Sequence, residues 1–143
     1  MKKKHILLLC MAVLLCAILL LVCTGSEKVP VPEKIVLYRD GASQVLLPEE
    51  AAFSRVYSLI RMEADAVQET AIDPDVILEV KKDLAVEYIY DGVQQVGGRN
   101  CTHVLFSLSG WTENSAILYM DGEYRSGTYA FSVSTEKLIE VFE

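Results

Sequence analysis

The sequence predicts an α+β domain: an antiparallel, meander-like sheet of about five to seven strands with a few helices. Asp-Gly pairs between β-favouring runs predict the sheet, because they supply the positive φ angles of two-residue hairpin turns. A single apolar stripe at helical spacing after Pro48 predicts the main helix. A basic, then apolar, N-terminus predicts that an export signal or membrane anchor precedes the domain.

The leader occupies residues 1–25. Lys2, Lys3 and Lys4 precede an uncharged run from Ile6 to Val22, closed by Cys23-Thr24-Gly25-Ser26. The basic flank stays on the cytoplasmic side and the rest of the chain lies outside. Three fates are open. Leu20-Leu21-Val22-Cys23 looks like a bacterial lipoprotein cleavage box with Cys23 as the lipidated residue, although Val22 stands where a small residue is usual. Cys23-Thr24-Gly25 also offers small residues to an ordinary signal peptidase, which would secrete the domain. Ile6 to Gly25 is 20 residues without a charge, enough for an uncleaved anchor. The favoured location is extracytoplasmic and tethered to the cell membrane, through the N-terminal segment or a lipid.

Removing Lys2, Lys3 and Lys4 leaves 10 basic against 20 acidic residues, a net charge of −10. Such a domain repels phosphate backbones, so nucleic acid is an unfavourable partner. The 118 residues beyond Gly25 suit one domain with one core. Residues 26–33 form a Pro-containing linker, in which Val29-Pro30-Val31-Pro32 favours extended geometry and a stiff spacer. A single extracytoplasmic domain spans 34–143.

Within it, Asp40-Gly41, Asp91-Gly92 and Asp121-Gly122 are each expected to turn a hairpin. A further strand covers Thr102 to Leu108, with Val104, Phe106 and Leu108 on one face and His103, Leu105 and Ser107 on the other. A last strand covers Thr128 to Val133. Pro48-Glu49-Glu50 opens a long helix over about 48–68, with Phe53, Val56, Tyr57, Ile60, Ala64 and Val67 as its apolar stripe. Ser134 opens a terminal helix over about 135–142. Pro74 to Lys82 reads either as a short helix capped by Asp73 or as a strand. The long and terminal helices are expected on the same face of the sheet.

Few residues carry chemistry. Cys101 and His103 are two apart on a strand, so they share a face and could form a thiolate–imidazolium pair. No third orienting group accompanies them, and both are expected to be dispensable. His103 is the one histidine beyond the leader, and no cysteine pair stands at ligand spacing; no metal and no cofactor is expected. Glu87 interrupts an apolar run, where an edge or solvent-facing position is the ordinary explanation. Gly97-Gly98 reads as a flexible connection. Trp111, Tyr124 and Arg125 are the candidate binding residues, since aromatics beside an arginine make protein-recognition hot spots. The plainer reading makes Tyr119 and Tyr129 ordinary cross-strand residues.

The functional expectation is a non-catalytic, membrane-tethered module that binds a protein or an envelope component. The alternative is a small hydrolase or thiol enzyme using Cys101 and His103. Protease added to intact cells or spheroplasts should digest the domain, and a protected product would contradict export. Fatty-acid labelling separates the fates of the leader. A lipidated parent takes up label and Cys23→Ala loses it, whereas a plain anchor leaves size and membrane association unchanged in that variant.

Overall fold

The computed structural model describes residues 29–63, 70–110, 115–127 and 130–141. The leader, Cys23 and Trp111 lie outside the described residues. Among the described residues, nine strands and three helices follow in order: β1 (Lys34–Arg39), β2 (Ala42–Leu46), α1 (Ala51–Leu59), β3 (Arg61–Glu63), β4 (Thr70–Ala71), α2 (Pro74–Lys82), β5 (Ala85–Val96), β6 (Arg99–Ser107), β7 (Ser115–Met120), β8 (Glu123–Ser126), β9 (Ala130–Ser132) and α3 (Thr135–Ile139). Seven strands form one antiparallel sheet in the order β2-β1-β5-β6-β7-β8-β4, and β3 pairs with β9 in a separate ribbon. The α+β class and the antiparallel sheet therefore hold.

Two of the three Asp-Gly pairs turn as expected. Asp40 and Gly41 have φ of 51° and 77°, and Asp121 and Gly122 have 54° and 87°. Both central residues left-handed is the geometry whose twist matches that of paired strands. Asp91-Gly92 instead lies inside β5, which runs on to Val96. There the pairing with β6 shifts between Ile89 and Gln94, a bulge in the ladder. The turn falls at Gly97-Gly98, with φ of 58° and 71°. Val96 is 3% exposed, so burying it carries the strand past the earlier turn signal.

The long helix is shorter than its stripe implied. It ends at Leu59, and Ile60 is already extended at φ −92° and ψ 122°. Ile60 and Met62 are both buried, at the two-residue spacing of a strand, and Met62 pairs with Phe131 of β9. A β pairing that buries two large side chains outcompetes the next helical turn, and Ala64 and Val67 of the expected stripe lie outside the described residues. Glu50 is the N-cap, and its carboxylate accepts from the Leu47 amide at 2.8 Å. The terminal helix stops at Ile139, short of the expected 142. Residues 74–82 are helical: Asp73 caps the Asp75 amide at 2.9 Å and Pro74 fits the first turn, where it lacks no needed donor.

The sheet carries cores on both faces. On one, α1 and α3 bring Phe53, Val56 and Leu138 against Ile35, Leu37, Tyr88, Phe106 and Leu118. On the other, α2 brings Ile77 and Val80 against Ala85, Leu105 and Ile117. The second half of the linker is docked. Val29 is buried in the main core, its carbonyl accepts from the Tyr57 hydroxyl at 2.6 Å, and Glu33 donates to the Ile89 carbonyl at 2.8 Å.

Gly41→Val and Gly122→Val should each destabilise by more than about 1 kcal/mol, because a β-branched residue resists positive φ. Gly92→Val should be close to neutral: a Cβ there meets nothing within 4 Å and its φ is not left-handed. Chemical denaturation of the three variants checks this contrast, and equal losses at all three would contradict the hairpin assignment.

Candidate functional site

The α2 side of the sheet holds a carboxylate that is almost wholly out of water. Glu87 sits on β5, an interior strand, and is 1% exposed. An isolated carboxylate at such a depth costs several kcal/mol, so the fold must supply donors. Four arrive, from four different elements. Tyr38 of β1 donates its hydroxyl to Oε2 at 2.7 Å, and Lys81, in the last turn of α2, places Nζ 2.8 Å from the same oxygen. Tyr124 of β8 donates to Oε1 at 2.6 Å, and Nδ1 of His103 on β6 lies 3.3 Å from it. An ionised carboxylate offers about four acceptor sites, and all are taken. The edge or solvent-facing position expected for Glu87 is thus corrected.

The register explains how distant residues converge. Val36, Glu87, Leu105 and Ile117 form one cross-strand line, and Ile89, His103, Tyr119 and Tyr124 form the next. Side chains two apart on a strand share a face, so Tyr38, Glu87, His103 and Tyr124 all point towards α2. Tyr124 reaches back over two intervening strands, packing on the Leu105–Ile117 cluster as it does so. Lys81 follows Ile77 and Val80 on the buried side of α2. Its Nζ donates to the Tyr124 hydroxyl at 2.9 Å and lies 5.2 Å and 5.1 Å from the ring centroids of Tyr38 and Tyr124. The cation is shared between a carboxylate and two aromatic faces.

Burial pushes the Glu87 carboxyl up, but hydrogen bonds from His103, Lys81 and Tyr124 outweigh it and lower its pKa from 4.5 to about 2. Burial, and then the hydrogen bond to Glu87, push the Tyr38 and Tyr124 hydroxyls well above the usual phenol range. At neutral pH the centre is therefore one anion and two neutral phenols, with Lys81 Nζ paired to the carboxylate. A carboxylate only accepts, so Nδ1 of His103 carries a proton and the ring orientation is fixed. His103 stacks on Tyr119 with centroids 4.9 Å apart, and Tyr119 meets Tyr124 at 4.7 Å. The result is a row of three rings braced from beneath by Glu87. The His103 side chain is 28% exposed, and Tyr119 and Tyr124 are half-buried.

The sequence-predicted residues separate. Tyr124 belongs to this cluster, but Arg125 faces the other way, opposite Leu118, and pairs with Glu123 at the surface. Cys101 and His103 do not share a face. Cys101 is fully buried in the main core with Val96 and Val104, while His103 is on the α2 side. The bulge between Ile89 and Gln94 switches the alternation, so the expected thiol–imidazole pair is not formed. Among the described residues, no three His, Cys, Asp or Glu side chains gather as a metal site. Lys81 and Tyr38 were not legible as site residues. The one sequence signal for them is Glu87 itself, an acid in an apolar run that demands a cation nearby.

Lys81→Met should cost about 3–5 kcal/mol, because it strands a buried charge. Adding Glu87→Leu to it should recover most of that loss, as paired replacement by apolar groups does. The folded pKa of Glu87 lies below its ordinary value, so its contribution to stability is complete above about pH 4.5 and disappears as pH falls towards 2. Glu87→Gln should flatten that part of the stability–pH curve; an unchanged slope would contradict the assignment. Comparison with protein-family models, with curated proteins and with solved structures finds no match to this chain, so its function is argued from this site and from the sequence.

Proposed function

We propose that this chain is an exported, membrane-tethered, non-catalytic module that recognises a protein or envelope component through the ring row His103–Tyr119–Tyr124. The observation that carries this reading is the bracing of that row. Its rings are half-buried or partly exposed, and their orientations are fixed by Glu87 and by mutual stacking. Aromatic side chains that are already ordered lose little freedom on binding, which favours them as anchors. Lys81 adds a partly exposed cation beside them. The saturation of Glu87 by groups of the protein itself supports a bracing role for the carboxylate rather than proton transfer to a substrate.

Arg125, offered by the sequence as part of the recognition surface, falls on the opposite face and is left out of it. Formaldehyde crosslinking in cells that produce the full chain natively, followed by capture through a C-terminal tag, tests the proposal. A discrete crosslinked species should form with the parent and with Arg125→Ala. It should be lost with Tyr119→Ala and His103→Ala under conditions where circular dichroism shows the fold intact. The same species at the same yield in all four proteins would overturn it.

A further inference from the structure

The chain enters the domain at a fixed point, at one end of the sheet. Val29 is 6% exposed, its carbonyl is held by Tyr57, and the Pro30 carbonyl accepts from the Tyr90 hydroxyl at 3.3 Å. The Glu33 amide donates to the Ile89 carbonyl just beyond the β1–β5 ladder, so residues 29–33 form a strap held to β5 at Ile89 and Tyr90. This strap is clamped onto the domain and is not a free spacer. The end it reaches is the end where the β5–β6 hairpin projects, with its turn at Gly97-Gly98.

Two features mark that end. Val31, within the strap, and Val93, on the β5–β6 hairpin, are among the exposed large apolar side chains of the described residues, at 63% and 52%. The hairpin stretch 91–100 carries one acid, Asp91, and one base, Arg99, and is therefore neutral in a domain of strongly negative charge. This neutral, partly apolar hairpin can approach a lipid surface more closely than the acidic β7–β8 turn, Asp121 to Glu123, at the same end of the sheet. Only three residues stand between Gly25, the last residue of the uncharged run, and Val29. The four steps from Gly25 to Val29 span at most about 14 Å even fully extended.

We infer that the strap and the β5–β6 hairpin form a membrane-docking end, with Val31 and Val93 seated in the headgroup region of the bilayer and the domain held in one orientation. This rests on the tethered reading above. The bilayer is the occupant because the apolar run ends within reach of the clamped entry point, and no long flexible chain intervenes to let the domain swing away. The Asp40-Gly41 turn and Ser43 lie at the other end of β1 and face away from the lipid.

Tryptophan quenching by lipid tests this. Trp111 is the chain's one tryptophan. Full-length Trp111→Phe/Val93→Trp and Trp111→Phe/Ser43→Trp would be reconstituted into phosphatidylcholine vesicles with brominated acyl chains and separated by flotation. Circular dichroism would verify the fold of both variants. The expected result is that both float and that emission from position 93 is quenched at least twofold more than emission from position 43. Flotation with equal, weak quenching at the two positions would overturn the docking inference and leave the tether intact. Protein that does not float with the vesicles would overturn the tethered reading, and the docking inference with it.

Discussion

One buried negative charge sets the terms for the α2 side of this domain. Glu87 cannot be left in the interior of a sheet without compensation, and the compensation comes from β1, α2, β6 and β8 together. Each donor fixes the element that carries it. Lys81 ties the end of α2 down over the sheet, and Tyr124 lies flat across β6 and β7. A purely apolar interface of the same size would permit α2 to settle in several registers, because dispersion contacts are not directional. Four hydrogen bonds converging on two oxygens permit one. The same directionality orders the exposed rings of His103 and Tyr119, which lie one contact further out.

The opposite face is held by different means. Tyr88 and Phe106 meet edge to face at 5.1 Å, and Phe106 meets Phe131 in the same manner. These contacts join the large sheet to the small β3–β9 ribbon, so the ribbon acts as a lid on the main core. Tyr57 and Tyr90 put their polar tips at the margin of that core, where the carbonyls of Val29 and Pro30 meet them. Tyrosine suits this place, since its ring packs inside while its hydroxyl finds a partner at the boundary.

Much of the architecture was legible in the residues and much of the site was not, for a shared reason. Asp40-Gly41 and Asp121-Gly122 are local signals: two residues determine two φ angles, and the hairpins follow. Pro74 after Asp73 is local in the same way, and the structure resolves that segment as a helix. Asp91-Gly92 fails because permission to turn is not an obligation; burial of Val96 and a glycine pair further on decide the matter. The helix stripe through Ile60 fails because Ile60 and Met62 also fit a strand, and only Phe131, some seventy residues away, selects it. The Cys101–His103 pairing fails because one bulge inverts the alternation on which it rested. The Glu87 centre depends on the order β1-β5-β6-β7-β8, which no short window of sequence contains.

That order also ranks the steps by which the chain closes on itself. The β5–β8 segments form a meander whose neighbours are joined by short connections, so each pairing closes a small loop. The β1–β5 ladder closes a much larger one: Tyr38 and Glu87 are 49 positions apart. Closure entropy grows with loop length, which places the β1–β5 pairing after the meander in the kinetic sequence. Until β1 arrives, Glu87 lacks Tyr38, and β5 has an open edge. For a chain that emerges N-terminus first, the strand synthesised earliest is then among the last to find its place, and the newly made domain waits for its C-terminal half before its acidic centre can be sealed.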